Sequence, residues 1–346
     1  MSTTYSLTQL GWQHFFQQQL TLMEWESFTI ARVFGVERSQ IRAHSEYGEH
    51  HFPVTSATPP LVVGDWVLLD QEGGFQHLLD RASLFSRKAA GTKVARQLIA
   101  SNIDHVFIVS SLNQDFNLNR IERYLALANE AGVNPVVVLT KLDQCTTPET
   151  YIEALNAMDA FLAVVTVNAL DAESVAVLNE WCGGGKTVAL LGSSGVGKST
   201  LVNTLLGETI QGTQLIRADD SKGRHTTTHR SLHLLPSGGL LLDTPGMREL
   251  QLADCEQGVE ETFVEIVELA QRCRFSDCTH ESEPGCAVLA AIDAGTLEER
   301  RLISYQKLRR EQAFNTATFA EKRAHDRALG RFYRTVMKEK QRDSGR

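Results

Sequence analysis

Residues 192–199, GSSGVGKS, have the spacing G-x-x-x-x-G-K-[ST], in which glycines let backbone amides close around phosphate oxygens. Gly192, Ser193, Ser194, Gly195, Val196, Gly197, Lys198, Ser199 and Thr200 form the expected phosphate-binding set. Within it Lys198 reaches the outer phosphates, and the Ser199 hydroxyl is placed to bind magnesium. TVALL at 187–191 reads as a buried strand, and residues 200–206 continue at helical spacing. The loop therefore opens a helix, whose N-terminus favours an anion. A second motif, TKLD, follows the apolar run PVVVL at 135–139 and comprises Thr140, Lys141, Leu142 and Asp143. The Asp143 carboxylate is suited to accept from the N1 and N2 donors of guanine, whereas adenine presents no such pair. Its place after a strand puts it at the carboxyl edge of a sheet, where doubly wound folds bind nucleotides.

The order of these motifs is informative. TKLD precedes the phosphate loop in the chain, the reverse of ordinary small GTPases, which implies a circularly permuted G domain. A strand at 240–243 runs into DTPG, with Asp243 expected to hold a magnesium-bound water and the Gly246 amide to meet the third phosphate. Between them, KGRHTTTHR at 222–230 lacks apolar periodicity, as expected of a switch. Thr227 is the expected magnesium hydroxyl, with Thr226 and Thr228 as alternatives. Asn168, after the strand at 162–167, is a further candidate contact to the base. Met247 stands where many GTPases place the glutamine that orients water, and a thioether performs neither role usefully. His225 is the best substitute, so hydrolysis should be slow until a partner orders the switch.

Cys273, Cys278, His280 and Cys286 are spaced C-x4-C-x-H-x5-C. Three thiolates and an imidazole suffice for a closed tetrahedral structural zinc site. Disulfides or free thiols are the competing reading, disfavoured because MSTTYSLTQL lacks the charged and apolar regions of a secretory leader. Cys145, Cys182 and Cys255 read as scattered free thiols.

On TKLD, GSSGVGKST, GRHTTTH, DTPGMREL and CRFSDCTHESEPGCAV, the chain resembles the small ribosomal subunit biogenesis GTPase A family, most strongly over 102–288. The resemblance implies an N-terminal OB-fold barrel, a central permuted G domain of α/β class and a C-terminal zinc-binding region. It also implies GTP hydrolysis stimulated by the small ribosomal subunit and its rRNA during late maturation near the decoding region. In that family the switch histidine, here His225, is the residue proposed to position water.

Composition accommodates this reading. With 346 residues, 42% of them hydrophobic, the chain is long enough for two or three cores. No apolar run approaches the roughly 18 residues of a membrane span, so a cytoplasmic protein without membrane contact is expected. Net charge is −8, yet residues 297–346 hold 14 Lys and Arg against 7 Asp and Glu, leaving −15 elsewhere. Arg323, Arg327, Arg331, Arg334 and Lys338 align on one face of an expected helix over 319–340, beside an apolar stripe, as a phosphate-contacting surface would require. A solvated charged face explains that pattern equally well.

The expected domains are 1–97 (helix, barrel and basic linker), 98–254 (permuted G domain) and 255–346 (zinc-binding and basic helical). Residues 7–20 read as an amphipathic helix, 28–79 as short barrel strands, OB-like or SH3-like by pattern, and 81–96 as a basic linker. Strands alternate with helices from residue 106, as in a covered parallel sheet. A monomer without DNA is expected. A nucleotide-dependent RNA-binding module with little turnover, a permuted GTPase of another RNA particle, and an ATP-using enzyme are the alternatives, the last opposed by TKLD.

Overall fold

Runs of β-branched and aromatic residues between 28 and 79 fold into five antiparallel strands, β1 (Thr29–Val36), β2 (Gln40–Ser45), β3 (Gly48–Pro53), β4 (Trp66–Leu69) and β5 (Phe75–Leu78), ordered β3-β2-β1-β4-β5. The computed structural model describes residues 4–88, 96–207, 231–243 and 255–316. Period-two alternation gives the sheet two buried faces. Ala31, Val33, Ile41, Phe52 and Val67 fill one, while Ile30, Phe34, Trp66 and Leu68 join a larger core reaching the rest of the molecule. Phe52 and Phe75 stack at 6.1 Å between centroids, which brings β3 and β5 together across the open side of the sheet.

Two sequence expectations need correction here. The helix expected over 7–20 is confined to α1 (His14–Gln17); residues 7–11 form a turn instead. Gly11, at φ +87°, explains the break: a Cβ there would lie 2.4 Å from Arg32 Nη1. The chain passes this close because fully buried Arg32 donates to the carbonyls of Leu10 (2.6 Å), Asn102 (2.8 Å) and Gly64 (3.3 Å). Burial pushes its pKa down to about 10, still charged at neutral pH, so the guanidinium pins three chain segments together. A second helix, α2 (Leu22–Ser27), starts with a Thr21–Glu24 capping box. The basic linker expected over 81–96 is also revised, since β6 (Leu84–Lys88) pairs antiparallel with β7 (Arg96–Ser101). Arginines and lysines there obscured the alternation that buries Phe85, Ile99 and Ala100.

The central sheet contains β8 (His105–Ser111), β9 (Asn134–Thr140), β10 (Ala163–Thr166), β11 (Thr187–Gly192), β12 (Ser231–Leu234) and β13 (Leu240–Asp243). Their order is β10-β9-β8-β11-β13-β12, parallel except for edge strand β12. Continuous Val, Ile and Leu in these strands reflect burial on both faces. Helices α3 (Leu118–Glu130) and α4 (Pro148–Met158) cover one face through Ile121, Leu125 and Leu155. Short α5 (Ala172–Val175), α6 (Asn179–Cys182) and longer α7 (Lys198–Leu206) cover the other, with Leu201 and Leu205 packed on Val109, Val188 and Leu241.

Four further helices, α8 (Glu256–Thr262), α9 (Val264–Ala270), α10 (Ala287–Asp293) and α11 (Glu299–Thr316), pack against α3 and one another. Gly258 allows α8 to approach α3, for a Cβ there would lie 2.1 Å from the Ala126 carbonyl. No helix among the described residues is long and apolar enough to cross a membrane. The basic helix expected over 319–340 lies outside them.

Candidate functional site

Central strand β11 delivers the chain into the phosphate loop at the carboxyl edge of the sheet, and α7 carries it away. Gly192 is required where the loop leaves the strand, because a Cβ would fall 2.4 Å from the Val109 carbonyl. Gly197 caps α7 at φ +95°, a left-handed conformation costly for other residues. Lys198 Nζ donates to the carbonyls of Gly192 (2.7 Å) and Ser193, which holds the ammonium over the loop. Ser199 is largely buried at the start of the helix, beside these groups in sequence.

The guanine-type motif ends β9, two strands from the phosphate loop. Thr140 bridges that gap, since its buried hydroxyl lies 2.6 Å from the Val196 carbonyl and 3.2 Å from the Ser110 carbonyl. The TKLD segment and the GSSGVGKS loop are thereby fastened to each other. Lys141 adopts φ +62° and starts the 3₁₀ turn Leu142–Gln144, on which Asp143 is exposed. The adjoining loop is held to both motifs: Val167 N donates to Leu139 O at 2.8 Å, and Thr204 Oγ1 of α7 donates to Ala169 O at 2.7 Å. Asn168 is engaged locally, its Oδ1 accepting from Leu170 N at 3.1 Å. That side chain shapes the loop, whatever else it touches.

Asp243 ends β13, where it pairs with Ser231. His225, Thr227 and its alternatives Thr226 and Thr228, together with Gly246 and Met247, lie outside the described residues.

The second cluster forms between α9 and α10. Cys273 Sγ lies 3.7 Å from His280 Nδ1 and 3.9 Å from Cys286 Sγ, and His280 Nδ1 lies 3.4 Å from Cys286 Sγ. With Cys278, all four donor atoms fall within 4.8 Å of one another. A zinc–sulfur bond of about 2.3 Å places tetrahedral thiolates about 3.8 Å apart, so the donor set fits a single such ion. Burial pushes His280 down, leaving its imidazole neutral as a ligand must be. The loop is drawn tight by Glu283, whose carboxylate accepts from Thr279 Oγ1 (2.5 Å), Thr279 N (2.8 Å), Glu281 N (3.0 Å) and Ser282 N (3.1 Å). The Thr279 hydroxyl foremost, with these amides, holds it far below the ordinary carboxylate range. All six cysteines are free of disulfides. Burial raises Cys182 to about 11 and Cys255 to about 12, so neither offers a thiolate.

Sequence reading missed Thr140 as a bridge and a buried charge cluster between α3 and α11. Glu122 of α3, wholly buried, accepts from Arg300 and Arg301 of α11. A glutamate on the helix face shared with Ile121 and Leu125 was the signal available.

A parallel sheet carrying a phosphate loop on a later strand than its guanine-type motif defines a circularly permuted P-loop GTPase. A model of the RsgA GTPase family matches residues 78–253. This chain belongs to that family and, as a GTPase, uses GTP, GDP and magnesium. It is 59% identical to small ribosomal subunit biogenesis GTPase RsgA 2 of Vibrio vulnificus (strain CMCP6), across 99% of this chain and 98% of that one. The RsgA of Mesorhizobium japonicum is 46% identical, across 94% and 95%. In fold the chain is similar to YjeQ from Thermotoga maritima, with a TM-score of 0.61 and 23% identity over 81% of this chain and 97% of that one. It is similar too to YloQ, described as a circularly permuted GTPase, at 0.60 and 22% over 84% and 97%.

Proposed function

We propose that this GTPase binds the small ribosomal subunit and hydrolyses GTP in a subunit-stimulated cycle that assists late subunit maturation. The observation that carries the reading is the Thr140 bridge to Val196, which joins the guanine-type motif to the phosphate loop. The names of its relatives supply the particle on which the cycle runs. Asp143 reads the guanine edge, while Lys198 and the loop amides hold the phosphates. Ser199 and Thr227 are the residues that would hold magnesium, with Asp243 on a bound water; the ion supplies charge neutralisation at the phosphates. His225 is assigned to orient the attacking water, and the Gly246 N–H is assigned to the terminal phosphate. As the new P–O bond forms, the bond to the GDP oxygen breaks, and the water's protons leave to phosphate and solvent. The subunit contributes by ordering the switch that carries His225.

Three further assignments belong to this reading. Strand order β3-β2-β1-β4-β5 and the Phe52–Phe75 contact support an OB-fold for the barrel. Domains at 1–97, 98–254 and 255–346 are the proposed division, with the C-terminal basic residues assigned to rRNA contact and a monomer as the acting form. Zinc is the ion suited to Cys273, Cys278, His280 and Cys286. Purified protein is expected to hold stoichiometric zinc by elemental analysis, and Cys278→Ser to lose it together with hydrogen-exchange protection over 271–297. Retention of zinc by that variant would remove the assignment.

The deciding measurement is phosphate release from GTP and ATP, with and without purified small subunits. Stimulation with GTP alone is expected, and His225→Ala should lose about a hundredfold or more of it. Stimulation that survives in the variant would assign water positioning to another group, and none in the wild type would point to a binding module.

A further inference from the structure

A cleft of about 670 Å³ lies between the barrel and the outer edge of the central sheet. Tyr5, Phe34, Arg42 and His44 line it from the N-terminal part of the chain, and Ser231 and His233 of β12, with several leucines, complete the lining. This volume suits a nucleoside. The His44 ring packs 4.5 Å from Phe34 and 6.0 Å from Tyr5, centroid to centroid, with the planes tilted by 55° and 60°, so the three rings form an aromatic cluster at the cleft. Arg42 lies across Gly35, where a Cβ would sit 3.3 Å from its Nε. Its acidic neighbour Glu49 is 3.8 Å away and 41% exposed, a weak tie. Ser231 Oγ and His233 Nε2, hydrogen-bonded to each other at 2.8 Å, are the polar side-chain atoms that β12 brings to the lining.

The chemistry of this lining is selective. No carboxylate is among the described lining residues, although the chain as a whole is acidic. Aromatic faces serve stacking, a guanidinium serves phosphate, and hydroxyl and imidazole atoms serve base edges, the combination used for single-stranded nucleic acid. Arg42 is the one fixed cation among the described lining residues. The Arg42 guanidinium is suited to meet one phosphodiester of a strand.

We propose that this cleft takes one unpaired ribonucleotide of a single-stranded RNA segment, its base against Tyr5 and His44 and its phosphodiester on Arg42. The proposal rests on the reading that the protein acts on ribosomal RNA. It also gives that RNA a route to the nucleotide site. β12 pairs with β13, Ser231 opposite Asp243, so an occupant touching Ser231 lies one strand from a nucleotide-site residue. Any effect of the RNA on nucleotide affinity must then be matched by an equal effect of nucleotide on RNA affinity.

The test is fluorescence anisotropy of a labelled oligouridylate and oligoadenylate with the full chain. Tyr5→Ala is expected to weaken binding about fivefold or more. Arg42→Gln should do the same and flatten the salt dependence by about one counterion, with exposed Arg38→Gln as the surface-charge control. Mant-GDP affinity, unchanged in all three, reports that each variant is folded. An oligonucleotide carrying 4-thiouridine should cross-link to the cleft, at Tyr5 or His44. Unaltered affinity in both cleft variants, cross-links elsewhere, or equal competition by free UMP and AMP would each overturn the proposal. Subunit-stimulated GTP hydrolysis is followed in parallel: its absence in the wild type strikes the ribosomal reading, while unaltered oligonucleotide affinity strikes only the cleft.

Discussion

Asp143→Asn is expected to weaken GDP binding about a hundredfold or more and to raise affinity for xanthosine diphosphate, as read by mant-nucleotide titration. Guanine presents two donors, N1–H and the N2 amino group, to a carboxylate that accepts both, and charge-assisted bonds of this kind contribute about 1.5–3 kcal/mol each. An amide at the same position accepts one and sets its own N–H₂ against the other donor. Xanthine replaces the N2 amino group with a carbonyl, so the amide now meets one donor and one acceptor. The phosphate half of the site should be untouched, because Thr140 holds Val196 through the hydroxyl and not through the Asp143 turn. Unchanged GDP affinity in the variant would move base recognition away from TKLD.

Much of this site was legible because its determinants are local. The phosphate loop, TKLD and the Cys-His spacing each place their groups within a few residues of one another, and a strand before each of the first two fixes which sheet edge it occupies. Chain order alone carried the permutation, since β9 precedes β11. What was not legible depends on contacts distant in sequence. The turn at 7–11 is dictated by Arg32, 22 residues from the Leu10 carbonyl it holds. β6 and the start of β7 looked like a linker because Arg87, Lys88, Lys93 and Arg96 crowd the sequence between the buried residues Phe85 and Ile99. Glu122 meets partners 178–182 residues away, beyond any motif.

That glutamate carries the largest expected effect on stability. Glu122 Oε1 accepts from Arg300 Nη1 (2.9 Å) and Arg301 Nη1 (2.8 Å), and Oε2 accepts from Ser304 Oγ at 2.5 Å. Arg301 continues to Glu265 and the Thr262 carbonyl, and its guanidinium stacks 4.4 Å from the Phe263 ring centroid. Glu122→Ala removes the wholly buried acceptor that two arginines share but leaves Arg301 with Glu265 and the Thr262 carbonyl and Arg300 with Asn119 and Glu298, so the loss should fall short of the about 3–5 kcal/mol of an unpaired buried charge. Because several cores share the chain, a single unfolding midpoint would blur the result. Hydrogen exchange resolves it: protection should fall across Glu299–Thr316 and Glu256–Thr262, which pack on α3, while β1 to β5 keep theirs. Replacing Glu122 and Arg301 together by Leu and Met should recover part of the loss, since apolar side chains of similar length restore packing without leaving the Arg301 guanidinium short of an acceptor. Full protection of α11 in Glu122→Ala would show that apolar packing alone holds it. The same cluster links the helix leading toward the basic C-terminal residues to the helix between β8 and β9, so its loss should also reduce subunit-stimulated hydrolysis more than basal GTP turnover.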